Sequence, residues 1–333
     1  MQTTDSAPAS PGAVERENRP LHGILFLLLA TTLFPLQDVI IKGMSDGYAV
    51  HQIVFFRGIF ALPLVLVIVH LDTGLHALKF GPIRMQLFRA AAGFTSYLVY
   101  YMALATLGMA ETAAITFSTP LFVTLLAVFF LGETIGLHRW LAVTVGLVGV
   151  VIAMRPGYGV FEPAALLALG AALSYGVSII LTRRLGNRTN GSSLTLFATC
   201  FFTLGGAGLG LAFDGAATES AHPSVAFLYR PWIWPAAGDW PLLASLGCIS
   251  AIGFFSLSQA YRLADASVVT PLEYAYLPWA VLWGYVFFGN LPGLHTWAGL
   301  VLIVGAGLYV IYRETARGRK LVRWRGLGIF RQR

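Results

Sequence analysis

The chain has 333 residues, of which 57% are hydrophobic and 11% charged. Its mean hydropathy is +0.72, which leaves too little charge to cover a soluble surface and too much hydrophobicity for a disordered chain. The net charge of +7 is spread over short loops and gathered at the C-terminal end (Arg317, Arg319, Lys320, Arg323, Arg325, Arg331, Arg333). That is the pattern of a juxtamembrane segment near anionic lipid, not of a nucleic-acid-binding face.

Residues 1–20 are polar and rich in Pro, Ser and Ala, and read as a disordered cytoplasmic tail. Ten apolar segments follow, at 21–42, 50–70, 86–106, 111–131, 138–155, 163–182, 193–213, 241–261, 266–288 and 294–313. Each approaches the ~20 residues that cross a bilayer. Backbone groups in lipid must be satisfied internally, so the segments are expected as helices, and runs such as 141–154 lack the alternation of barrel strands. The first segment has span length rather than signal length.

The few polar groups inside these segments are the informative ones, because a charge in hydrocarbon faces a cavity, a partner or the interface. Asp38 in the first span and Arg57 in the second fall at similar depth from the outer side. A buried Asp38–Arg57 pair is the simplest expectation, as a structural ion pair, an outer gate or an anion-binding site. Arg89, at the start of the third span, can snorkel to the interface. Tyr97 and Tyr101 share a face of that span, four residues apart. Pro120 interrupts the fourth span and Pro278 the ninth, twelve and eleven residues before Gly132 and Gly289. Matched interruptions free carbonyls at a transporter site, unless a neighbouring helix settles them as ordinary kinks.

Glu111 sits at the outer mouth of the fourth span, and Glu133, His138 and Arg139 form a structural turn after it. Gly146-x-x-Gly149, Gly206-x-x-x-Gly210 and Gly305-x-Gly307 are expected as close-packing glycines. Asn187 and Asn190 begin Asn-x-Ser/Thr triplets on the cytoplasmic side, out of reach of glycosylation. The connection at 214–240 carries Trp232, Trp234 and Trp240, which fit an interfacial aromatic belt, with a lid as the alternative. Gln259 in the eighth span faces the cavity or bonds across helices. Glu273 in the ninth has no opposite charge at matching depth in another span. It can hold a proton, or the amine or sulfonium of a cationic ligand; the structural alternative is a protonated Glu bonded to a neighbouring helix. Tyr276 shares its face.

With the N-terminus inside, seventeen basic residues fall on cytoplasmic segments and three on outer ones, so both termini are expected in the cytoplasm. The chain also repeats. Residues 132–140 read GETIGLHRW and residues 289–297 read GNLPGLHTW, offset by 157; ATTLFPLQDVIIK at 30–42 lies against AALSYGVSIILTR at 171–183, offset by 141. Each half then has five helices, and an odd number makes the second half enter with opposite polarity, an inverted repeat with its site near the midplane. The repeat mates of Asp38, Arg57 and Glu273 are Ile179, Ala198 and Thr116, so symmetric packing does not require the charges.

The ten-span pattern, GETIGLHRW and AYRLADASVVTPLEY at 260–274 resemble the EamA-type members of the drug/metabolite transporter superfamily over about 21–315. Asn290 departs from the pattern, since the second repeat usually repeats the acidic residue at Glu133. QIVFFRGIFALP at 52–63 and 266–289 look most like the branch that includes bacterial S-adenosylmethionine uptake transporters. The expected organisation is an all-α membrane protein of two inverted five-helix repeats, 21–155 and 163–313, between the tail at 1–20 and a basic tail at 314–333.

The expected activity is secondary transport of a small zwitterionic or cationic metabolite, amino-acid-like or S-adenosylmethionine-like, across the bacterial inner membrane by alternating access. Coupling would be to protons or by exchange, and export of amino acids or drugs is the alternative. The substrate-binding or coupling candidates are Glu273, Asp38, Arg57, Gln259, Tyr276, Tyr97 and Tyr101, with Pro120 and Pro278 as helix breaks. No nucleotide loop, protease or hydrolase motif, or Cys/His cluster appears, Cys200 and Cys248 included, so no cofactor, no metal, no enzymatic activity and no nucleic-acid partner are expected. An intramembrane enzyme and a channel or lipid scramblase are the other classes. Partners reduce to the metabolite, the bilayer and a coupling proton, with oligomeric state open.

Overall fold

The computed structural model describes residues 20–72, 74–133, 135–154, 162–185, 188–213, 222–264, 269 and 271–316. Asn187, residues 1–19 of the N-terminal tail and 317–333 of the basic tail lie outside them. All regular structure among the described residues is helical. It comprises α1 (Pro20–Met44), α2 (Val50–Asp72), α3 (Ile83–Thr106), α4 (Met109–Thr116), α5 (Thr119–Leu131), α6 (Leu137–Ala153), α7 (Pro163–Leu185), α8 (Gly191–Phe213), α9 (Pro223–Tyr229), α10 (Trp240–Leu263), α11 (Tyr276–Phe288) and α12 (Leu294–Ala316).

Six units are long and apolar enough to cross a membrane: α1, α2, α4 with α5, α7, α8 and α10. Apolar α6 and the Leu294–Val310 part of α12 are shorter. α3 has 24 residues but carries Arg84, Gln86, Arg89 and three tyrosines, and is not among the six. Large apolar side chains such as Phe129, Leu211 and Leu294 face outward, costly in water and at home in hydrocarbon.

The internal repeat holds to the residue at both ends of three helix pairs. Adding 141 to α2 gives α8, and adding 157 to α3 and α5 gives α10 and α11. The change of offset is the longer α8–α10 connection, 26 residues against the 10 between α2 and α3. Packing follows the same correspondence. α3 packs on α7 as α10 packs on α1, α5 on α7 as α11 on α1, and α3 meets α8 as α10 meets α2. The pairs α2–α8 and α6–α12, and the α4–α5 unit with α11, each join an element to its own mate. The two copies of the Gly-Leu-His segment sit at opposite ends of the α4–α5 unit. Glu133 of the first copy faces Arg183 at 3.9 Å beyond the end of α5, whereas His295 of the second faces Glu111 at 3.7 Å in the first turn of α4.

Each of the two prolines stands a few residues after an interruption of the α-helix. The first lies at Phe117–Ser118, with Pro120 in the opening turn of α5. The second is a 3-10 turn at Glu273–Ala275, with Pro278 in the opening turn of α11. A proline lacks the N–H that a first turn leaves unbonded anyway, so the break is displaced upstream of it. Both helices then stop at a left-handed glycine, Gly132 (φ 66°) and Gly289 (φ 67°), which ends a helix at no side-chain cost.

Two expectations are corrected. Trp232 is not in a lipid-facing belt: its Nε1 donates to His51 Nδ1 at 2.6 Å, and its ring stacks on His51 and meets Phe55. The 222–239 segment straps down on the end of α1 and α2, where Gln52 Nε2 donates to the Ile233 carbonyl at 2.5 Å and Tyr48 donates to Asp239. Trp234 alone of the three is largely exposed. Gly305 is not a packing glycine either, because a Cβ there would meet open space. The tight approach of α6 to α12 uses Gly149 and Gly299, each within 3 Å of the other's carbonyl oxygen when given a Cβ. Gly299→Val is therefore expected to cost about 1–3 kcal/mol by overpacking and to lower the unfolding midpoint in detergent, while Gly305→Ala leaves it unchanged.

Candidate functional site

A cavity of about 780 Å³ lies between the two sets of repeated helices. Its walls are built from mates. Phe34 and Tyr175, Asp38 and Ile179, Arg57 and Ala198, Tyr97 and Phe254, Tyr100 and Leu257, and Thr116 and Glu273 all line it. Three of these six pairs carry a charge, and in each of the three it stands on one mate only. The cavity runs from the middle of the bundle to the end where α7 finishes and α8 begins, where exposed Tyr261 and half-exposed Arg183 line it. The opposite end is covered by the 222–239 strap, whose own Phe227 is fully buried, as is His51 beneath it.

Asp38, on α1, is held by tyrosine hydroxyls from two other elements. Tyr101 donates to its Oδ1 at 2.8 Å and Tyr100 to its Oδ2 at 2.7 Å, both from α3. Tyr276, at the start of α11, also donates to Oδ2 and lies 2.9 Å from the Tyr100 hydroxyl. Gln37 extends the network, its Nε2 donating to the Tyr101 hydroxyl at 2.8 Å. A buried carboxylate with three donors is well satisfied.

Arg57, from α2, lines the same cavity, but no ion pair joins it to Asp38 among the described residues, which corrects the expected pair. Its guanidinium lies 4.3 Å above the Tyr97 ring and 6.0 Å from that of Phe254, a cation–π arrangement. Its Nη1 is buried without a hydrogen-bond partner, as is the Tyr97 hydroxyl. Similar depth put Asp38 and Arg57 in reach of each other, but the rings of α3 occupy the carboxylate first.

Glu273 is in the 3-10 turn before α11 and lines the cavity. The Tyr261 hydroxyl donates to it, so it has a neutral partner that span-by-span charge matching passed over. Tyr276 is beside it in sequence but bonds Asp38 instead. Pro120 lines the cavity near the first break, and Pro278 is exposed. Gln259 stands apart, in a second, smaller cavity near Asp72, where Arg262 Nη1 meets Asp72 Oδ1 at 3.0 Å. Arg89 does not snorkel: it is buried, with its Nη2 donating to the Leu194 carbonyl at 3.0 Å.

Sequence reasoning missed Tyr100, Gln37, Phe254 and Tyr261. The run YLVYY at 97–101 was the available signal, because Tyr100 is three residues past Tyr97 on nearly the same face.

The EamA-like transporter family matches residues 21–155 and 162–313. This chain belongs to that family. An S-adenosylmethionine uptake transporter of Rickettsia prowazekii (strain Madrid E) is 27% identical over 88% of this chain and 94% of its own length. A riboflavin transporter of Rhizobium johnstonii is 28% identical over 91% and 95%, and the pseudopaline exporter CntI of Pseudomonas aeruginosa is 26% identical over 85% and 94%. A solved crystal structure overlaps 90% of this chain and 97% of its own at a TM-score of 0.56 and 22% identity, a likeness of fold. The protein is a multi-pass membrane protein of a transporter family.

If the tyrosine cage holds Asp38, the changes Asp38→Asn and Tyr276→Phe are non-additive. A double-mutant cycle on thermal unfolding is expected to give a coupling of about 1–2 kcal/mol, within the range for directly contacting groups.

Proposed function

We propose that the protein is a secondary transporter that moves a small zwitterionic or cationic metabolite across the bacterial cytoplasmic membrane by alternating access. It has ten spans in two inverted five-helix repeats, 21–155 and 163–313, with both termini and the tails at 1–20 and 314–333 in the cytoplasm. The observation that carries this reading is the cavity itself: repeat mates from both halves line it, and in the three pairs that carry charge it stands on one mate only. Packing alone would not ask for such asymmetry, whereas an asymmetric ligand does.

Asp38, Arg57, Tyr97, Tyr101, Tyr276 and Glu273 form the substrate and coupling site, and the breaks before Pro120 and Pro278 give the two halves their bending points. The cavity reaches the end that carries Lys79, Arg84, Arg183, Arg184 and Arg262, so the conformation is read as open to the cytoplasm. Gln259 is assigned to a latch with Asp72 and Arg262 at that end. Relatives named for uptake of S-adenosylmethionine and for riboflavin transport support a metabolite of nucleoside or flavin size. Export is the second reading, favoured by the relative named as a pseudopaline exporter.

Glu273 is the proposed proton site. In proteoliposomes loaded with S-adenosylmethionine, counterflow of the labelled compound is expected to depend on pH for the native chain and to lose most of that dependence in Glu273→Gln. A variant that keeps the full pH profile removes Glu273 from the coupling step.

A further inference from the structure

Buried charges are normally paired, because an unpaired ion in low dielectric is costly. Arg57 breaks that rule. It is 7% exposed, has no ion-pair partner among the described residues, and its Nη1 has no hydrogen-bond partner. The nearest carboxylate network does not serve it, since Asp38 is taken up by Tyr100, Tyr101 and Tyr276. The rings of Tyr97 and Phe254 flank the guanidinium and fix its plane. The Tyr97 hydroxyl is likewise buried and unbonded. Both residues line the cavity, and each keeps one buried polar atom without a hydrogen-bond partner beside it.

We propose that Arg57 and Tyr97 form a carboxylate subsite, so that the transported metabolite carries a carboxylate group. This rests on the transporter reading above and narrows its substrate class. A planar carboxylate accepts from a guanidinium edge while the phenol supplies a further donor. Glu273, lining the same cavity, receives the cationic end. The site selects amino-acid-like zwitterions and rejects polyamines and other plain cations, which would leave the Arg57 charge unanswered.

The test uses pairs of probes that differ in the carboxylate alone: S-adenosylmethionine against its decarboxylated form, and methionine against methioninol, with riboflavin as an uncharged probe. Binding to the purified full-length protein is read by thermal shift over a concentration series. At least one acid probe is expected to bind, and its partner to bind about thirty-fold more weakly, the loss typical of a hydrogen-bonded charge left unpaired. In Arg57→Gln the two members of the pair should become equal, while Arg57→Lys retains part of the difference. Tyr97→Phe keeps the ring and serves where Arg57→Gln does not fold; it should weaken the acid member several-fold and leave its partner unchanged.

Equal binding of the pair by the native protein, or a ratio that survives Arg57→Gln, overturns the subsite. Riboflavin binding with no acid probe bound also overturns it but leaves the transporter reading standing. Failure of every probe, riboflavin included, overturns the subsite and counts against the small-metabolite reading as well.

Discussion

The organising constraint is the cost of burying charge inside a helical bundle. Asp38 and Arg57, both buried, face one cavity and meet that cost in different ways. Asp38 is enclosed by three phenol hydroxyls, two from α3 and one from the start of α11. Arg57 is laid against the Tyr97 ring and keeps a donor in reserve. The first arrangement ties α1 and α3 to an element of the other repeat. The second leaves an electrostatic demand that a ligand can meet.

The repeat explains why the cavity exists at all. Mated helices pack across the molecule in matched pairs, so the walls are supplied twice over and meet along one seam. The interruptions at Phe117–Ser118 and in the 3-10 turn at Glu273–Ala275 bring a break in the α-helical hydrogen-bond ladder to that seam, which is tolerated in lipid beside a cavity or another helix. Side chains then depart from the symmetry. Thr116 mates with Glu273, Ala198 with Arg57 and Ile179 with Asp38, so one scaffold gives a cavity wall that carries charge of both signs. Outside the cavity the glycine pair Gly149 and Gly299 sets how closely α6 and α12 approach.

Much of this was legible in the sequence. Apolar length and the Gly-Leu-His echo gave the helices, the repeat and its two offsets, because hydrophobic run length and spacing are backbone-level signals. The polar residues that would line a cavity were also found, since a charge in a long apolar run has few places to go. Partners were harder. Depth along a helix places Asp38 level with Arg57 but says nothing of helix rotation, and the rings of Tyr100 and Tyr101 came between them. Neutral hydroxyls such as those of Tyr261 and Tyr276 carry no charge signature, so the partners of Glu273 and Asp38 were invisible to charge matching. Gln259 looked central only because its level was known and its face was not. Trp232 read as an interface residue because its hydrogen bond to His51 crosses 181 positions of chain.

The central claim is that this cavity is reached from one side of the membrane at a time. Ala198, the mate of Arg57, lines it, and Cys200 and Cys248 are free thiols that serine can replace. The direct measurement is labelling of Ala198→Cys in that background with a membrane-impermeant maleimide, in right-side-out and inverted vesicles. The account predicts labelling from the cytoplasmic face, with any labelling from the outer face gained only as the cytoplasmic rate falls. Equal labelling from both faces at once, as in an open pore, or none from either, would contradict it.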